Sequence, residues 1–460
     1  MLKQEFNTTA YDKLDEFVYG IAKKPVALKN GMVIGGGTIY PELNFTLPTM
    51  LVTKDSWPEV IRIYKEIAEG FCDRARELGT PGFVAEIETV PDMTFNPEWC
   101  IEVCKTVVDI IKEHSAKYGI KGAVRITPND NREGLKEHVY KDKNWNDTLK
   151  AFVGSGKAGA DFFSIESCGS KEIHDDAMMY CNLPQALFSL GVVGARDMEK
   201  LWTEIVRIAD ETGAIPAGDT ACGFANTAMV LAEGKYIPRV FAAADRVMAA
   251  VRSLIAVECG AKGPDKDCGY EGPYEKAIAG IPISMEGKTA AVAHLSSVGN
   301  ISCALADLWS NESVQQIKLL SGYAPVASFE MLNYDCRLLN TARKKSEATA
   351  LLLRDLLVES DAALDPHAYI LRPDVILDIA KAIVKEKGHY LRTRRAGICA
   401  LLKMKEGVQK GQLQVDEKEK GWLDTLLKQL EATPEDEAKF TAEIIDDCEN
   451  FKPENYDFKK

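Results

Sequence analysis

The sequence predicts an α/β fold, a (β/α)₈ TIM-type barrel with an additional C-terminal helical layer. Three observations predict it: short apolar runs alternate with helical segments, the spacers have βα size, and polar residues gather where the runs end. The runs are Phe83-Val-Ala-Glu-Ile-Glu88, Ala123-Val-Arg-Ile-Thr127, Phe162-Phe-Ser-Ile-Glu166, Ala214-Ile-Pro-Ala-Gly218, Ser253-Leu-Ile-Ala-Val-Glu258 and Ile281-Pro-Ile-Ser-Met285. A parallel strand with its crossover takes about 30 residues or more, and the spacers fit. Such alternation builds either a barrel or a doubly wound sheet. The barrel is favoured because Glu86, Glu88, Thr127, Glu166, Asp219, Glu258 and Glu286 lie at or beyond the carboxyl ends of the runs, the end that carries barrel active sites.

In chain order, Met32-Val-Ile-Gly35 reads as a further strand, and Gly35-Gly-Gly37 as a tight turn at the barrel's entrance. From Trp57 to Leu78 the residues Val60, Tyr64, Ile67 and Phe71 recur at helical spacing. Ile101, Cys104, Val108 and Ile111 do the same before Gly119, a C-cap residue. Gly154-Ser-Gly156 reads as a helix-end turn. Leu201, Ile205 and Ile208 follow Asp197, taken as an N-cap. A run from Gln315 to Leu320 is the candidate last strand. Beyond Asn340 the texture turns helical at 351–357, 375–384 and 391–404, and Thr433-Pro-Glu-Asp436 reads as a helix start. The tail Phe451-Lys-Pro-Glu-Asn-Tyr456 is expected to pack as an irregular strap. The chain therefore divides into a barrel with an N-terminal extension (1–335) and a helical region (336–460).

Composition narrows the function. A net charge of −13 makes nucleic acid a poor partner. No apolar run reaches membrane-spanning length, and the N-terminus carries no export signal. Twelve cysteines without such a signal fit reduced thiols in a cytoplasmic setting. Cys72, Cys100, Cys104 and Cys336 read as core residues.

Glu166, Cys222 and Cys268 stand apart from the rest. Each sits in a sharp turn beside an apolar run, one per strand with long spacers, which is how catalytic metal sites are assembled. Two thiolates and a carboxylate select zinc over magnesium or calcium and leave a fourth position open. The spacing by itself leaves the reaction open: activation of an oxygen or sulfur nucleophile or leaving group. His174, beyond Glu166, belongs either beside this site or on the surface of the following helix. The six histidines form no His-x-x-x-His pair, which argues against a zincin-type hydrolase.

At these same motifs the chain resembles the zinc-dependent methanol:corrinoid methyltransferase subunit family. The shared stretches include Tyr40-Pro-Glu-Leu-Asn44, Ser164-Ile-Glu-Ser167 with Lys171-Glu172, Ala217-Gly-Asp-Thr220, Ala225-Asn-Thr-Ala-Met229, Lys266-Asp-Cys-Gly-Tyr-Glu271, Met285-Glu-Gly-Lys-Thr289, Trp309-Ser-Asn-Glu-Ser313 and the tail motif. The resemblance implies a TIM-type barrel holding zinc on Glu166, Cys222 and Cys268, and transfer of the methanol methyl group to Co(I). The corrinoid (cobalamin) is carried by a separate corrinoid-binding protein, so a homo-oligomer or a hetero-oligomer with that protein is expected. Asp219 is the candidate proton donor to the departing oxygen, with capping of the Cys222 turn as its other role. Ala221, Gly223 and Phe224 around Cys222, and Cys168-Gly-Ser170, depart from the family pattern. They leave open the same chemistry on another small methyl donor. A non-catalytic docking subunit for a corrinoid protein is the alternative from another class.

Overall fold

The computed structural model describes residues 2–46, 50–132, 138–266, 268–293, 295–314 and 317–459. A two-stranded antiparallel hairpin, β1 (Ile21–Ala27) and β2 (Val33–Gly36), precedes the barrel. Seven parallel strands follow among the described residues: β3 (Tyr40–Thr46), β4 (Phe83–Glu88), β5 (Gly122–Thr127), β6 (Phe162–Ile165), β7 (Ile215–Asp219), β8 (Ser284–Glu286) and β9 (Leu308–Val314). Their order in the sheet is β7-β6-β5-β4-β3-β9-β8.

The ring is closed between β7 and β8 by residues 261–265. Lys262 and Gly263 donate backbone N–H groups to Pro216 and Ala217 of β7 at 2.8 and 2.9 Å. On the other side Asp265 donates to the Pro282 carbonyl at 3.0 Å, and Ser284 donates back to Asp265 at 2.8 Å. Gly218 is needed at this seam, since a Cβ there would lie 1.8 Å from Asp265 Oδ1. Counting this segment, the barrel has its eight staves.

Three expectations about the staves are corrected. Residues 253–258 are not a strand but the last turns of the helix Arg239–Cys259. That helix is buried from Val240 to Cys259 without interruption. A helix buried on every face can lose the 3.6-residue period over such a stretch and reads as a strand-like run. Glu258 is accordingly not at the barrel mouth; it pairs with Arg392 at 2.7 Å and ties the barrel to the C-terminal layer. The last stave is β9, ahead of the run 315–320, of which residues 315 and 316 lie outside the described residues. Likewise β2 belongs to the hairpin and not to the ring.

The hairpin has its own task. Val26, Leu28, Met32 and Ile34 pack against Tyr40, Val84, Ala123, Phe162, Ala217 and Leu308, residues at the amino-terminal halves of the staves. They plug that mouth of the barrel with apolar side chains. Within the ring the filling is charged: Arg125 of β5 binds Glu42 of β3 at 2.6 Å, Ser164 at 2.8 Å and the Pro264 carbonyl at 2.9 Å, all wholly buried.

The helices Trp57–Leu78 and Pro97–Tyr118 start with proline in the first turn and stop at left-handed Gly79 and Gly119. Gly154 and Gly156 lie inside the helix Lys143–Ala158, not at its end, where a Cβ would strike Ile101 and Thr212; the helix stops at Gly159. Asp197 is not a cap either. It lies within the first turn of the helix Gly194–Thr212 and binds Arg132 at 2.8 Å. The helix Ala324–Lys345 packs on β3 and β9 and passes through residues 335 and 336 unbroken. Behind it come Glu347–Asp361, Pro373–Ile383, His389–Gln409, Glu417–Glu431 and Glu437–Ile444. The last begins three residues later than Pro434 suggests, because Asp436 supplies the cap to Lys439 N–H at 2.7 Å. Among the described residues no helix is long and apolar enough to cross a membrane.

Candidate metal centre

Glu166 is the residue after β6, where the strand leaves the ring and bridges to Asn129 beyond β5. Cys222 opens a single widened helical turn, Cys222–Asn226, three residues past β7, and Asn226 Nδ2 donates to its sulfur at 3.5 Å. Cys268 follows the closing segment 261–265. Its backbone N–H and that of Gly269 both reach Thr220 Oγ1 at 3.4 Å, which ties this loop to the one carrying Cys222. Three different staves thus deliver the three side chains to the carboxyl-terminal mouth.

There they converge. One carboxylate oxygen of Glu166 and the sulfurs of Cys222 and Cys268 all lie within 4.8 Å of one another, and Cys268 Sγ stands 3.4 Å from Glu166 Oε1. Cys268 is buried, while Glu166 and Cys222 are half-buried, so the trio faces the mouth. One oxygen and two sulfurs at this separation are the donor set for a soft-leaning divalent cation such as zinc.

Burial and the neighbouring charges set the protonation of the trio. Burial, with Cys222 and Glu166 close by, pushes the Cys268 thiol far above its ordinary range. Cys222 is held down by its contact with Cys268, yet burial and the Glu166 charge carry it above the ordinary value. A divalent cation entering here must expel thiol protons as it binds. Burial raises Glu166, but the Lys266 ammonium outweighs it and keeps the carboxyl below its usual range. Lys266 Nζ lies 2.5 Å from Glu166, 3.5 Å from Glu88 and 3.7 Å from Glu86. Burial opposes its charge, but these carboxylates prevail. Glu86, one layer deeper, is lifted by burial to about 7.

Sequence reading missed Lys266 as a participant. The available signal was its place two residues before Cys268, but its carboxylate partners on β4 are remote in sequence. Asp219 ends β7 and is wholly buried beneath the ligand loops. Its oxygens accept from Ser167 at 2.8 Å, Arg252 at 3.2 Å and Trp202 at 3.4 Å. Burial raises its carboxyl to about 7 against the opposing Arg252 charge. His174 is wholly buried rather than on the surface. It binds Asp245 at 2.9 Å and sets its ring edge-on to Phe224, two residues past Cys222. Glu286, at the end of β8, is also buried.

A closed parallel ring whose carboxyl mouth gathers an oxygen and two sulfurs defines a barrel protein with a candidate metal site. Residues 3–457 match the family model described as methanol-cobalamin methyltransferase B subunit. The chain belongs to that family. It is 38% identical over 471 residues to the methanol–corrinoid protein co-methyltransferase of Methanosarcina barkeri (strain Fusaro / DSM 804), with 100% of both sequences covered. It is also similar to a chain in the crystal structure of the methanol:cobalamin methyltransferase complex MtaBC from Methanosarcina barkeri. The TM-score is 0.94 at 37% identity, covering 99% of this chain and 100% of that one.

Proposed function

We propose that this chain is a methyltransferase that activates methanol at a zinc centre held by Glu166, Cys222 and Cys268. It passes the methyl group to Co(I) of a corrinoid carried by a partner protein. The observation that carries the reading is the convergence of those three ligand atoms at the mouth of the ring, in a chain of this family. Zinc bound by this trio would supply Lewis-acid polarisation of the methanol C–O bond, which otherwise has hydroxide as its leaving group.

The protein's own groups do the rest. The half-buried faces of Glu166 and Cys222 leave an approach from the mouth, where a flat corrin brought by a partner can present its cobalt. Lys266 offsets the negative charge of Glu86, Glu88 and Glu166, so these carboxylates are held together at the mouth. The departing oxygen takes up one proton to become water. Asp219 is the group proposed to handle it: its carboxyl, raised to about 7, stays partly protonated near neutrality. Its Oδ2 meets the Ser167 hydroxyl, next in sequence to Glu166.

The test is direct. Purified chain should hold about one zinc, in keeping with a single three-ligand site, and should methylate Co(I)-cobalamin from methanol. Full zinc occupancy with no methylation at saturating methanol overturns the reading. Offering other small methyl donors in the same assay reports whether the residues around Cys222 have shifted the preference.

A further inference from the structure

The tail motif 451–456 has no part in the chemistry described so far, yet it ends against the loop that carries Glu166. Tyr456 Oη accepts the Ser170 backbone N–H at 3.0 Å and donates its own proton to Glu172 at 3.0 Å. Ser170 sits at φ 75, a left-handed conformation that a residue with a Cβ rarely adopts. Such a residue persists only where neighbouring contacts hold it. Its hydroxyl is held by the Ser189 carbonyl at 2.9 Å and its amide by the phenol. Between Ser170 and Glu166 the loop is also pinned at Cys168, whose N–H reaches Asp130 at 3.0 Å.

The tail is itself firmly seated. Phe451 and Phe458 pack on Phe188 with ring centroids 5.8 and 6.0 Å away. Val139 donates its N–H to the Asn455 carbonyl at 3.0 Å, and Asp457 binds His138 and Lys141 at 2.8 and 2.9 Å. The strap therefore spans the loops that follow β5 and β6, both on the ligand side of the ring.

We propose that Tyr456 is a positioning residue for the metal centre: by fixing Ser170 and Glu172 it sets the course of the loop from which Glu166 reaches the two sulfurs. This rests on the metal-centre reading given above. Partners that orient metal ligands from outside typically cost 10–100-fold in metal affinity when removed, and at four residues' remove the lower end, about tenfold, is expected.

The experiment compares wild type with Tyr456→Phe, which keeps the ring against Phe451 and removes only the hydroxyl. The readouts are zinc retention against a competing chelator, the absorption spectrum of the Co(II)-substituted protein, and amide exchange over residues 167–170. We expect about tenfold weaker zinc retention, an altered cobalt ligand-field spectrum and faster exchange in the loop. A variant with wild-type zinc affinity and cobalt spectrum, even if it melts earlier, overturns the proposal and leaves the tail a packing element. Should Tyr456→Phe not be obtained folded, Glu172→Ala removes the acceptor of the same phenol and carries the same expectations. Wild type that holds no metal at all would instead sink the metal-centre reading, so the two failures are distinguishable.

Discussion

At the amino end of the barrel, Val26, Leu28, Met32 and Ile34 fill the ring with apolar surface. At the carboxyl end Glu86, Glu88, Glu166, Lys266 and two thiols fill it with charge and polarisable sulfur. The first filling is non-directional, and each such side chain contributes about 1.5–3 kcal/mol by leaving water. The second works only when every partner is present, because one unmatched charge in such a place costs more than its pair returns. One end of the same ring thus stabilises the fold, while the other spends that stability on holding groups that would separate in water.

The sharpest way to break this contrast is Cys268→Ser. Loss of a direct ligand should cost more than the 10–100-fold typical of outer partners, so metal is lost on dialysis and methyl transfer falls to background. With the metal removed from both, its unfolding by urea should match that of wild type, since the apolar end is untouched. Ile34→Ala is the mirror experiment: it should destabilise by about 2–5 kcal/mol, read from urea unfolding, with zinc stoichiometry intact in the folded fraction. If Ile34→Ala also strips the metal, the two ends are not independent. Asp219→Asn probes the layer between them. Removing its proton should lower kcat by about 100-fold with zinc content and KM for methanol preserved.

The smallest effect is one of pH. Burial lifts Asp219 from 3.8 and Glu86 from 4.5, each to about 7, so both bind their proton more tightly folded than unfolded. Their contribution is complete below the unfolded values and is lost as pH climbs through about 7. The metal-free protein should therefore lose urea resistance between about pH 4 and pH 7, and the slope should be shallower in Asp219→Asn.

Legibility in the sequence followed polarity. The staves β4, β5, β6, β7 and β8 were found or approached as apolar runs. The strands β3 and β9 were not, because Glu42, Asn44 and Ser310 break the pattern on the inner face, and Asn311, beside Leu43, breaks it on the outer one. The closing segment, Ala-Lys-Gly-Pro-Asp at 261–265, has no strand signature at all and is held by its neighbours' ladders. For the site, the converging trio was legible because each member stands alone in a turn beyond a barrel segment. Lys266 was not, since a lysine in a loop reads as solvated until Glu86, Glu88 and Glu166 are brought around it. Asp197 failed for the related reason that its partner, Arg132, is remote in sequence.

The segment that completes the ring stops three residues before Cys268. Shutting the cylinder and bringing Cys268 to Glu166 and Cys222 are therefore one event: a barrel open at that seam gathers only two of the three donor groups. The convergence of the trio becomes a certificate of correct closure, read out at the very place where the ring's hydrogen bonds are completed.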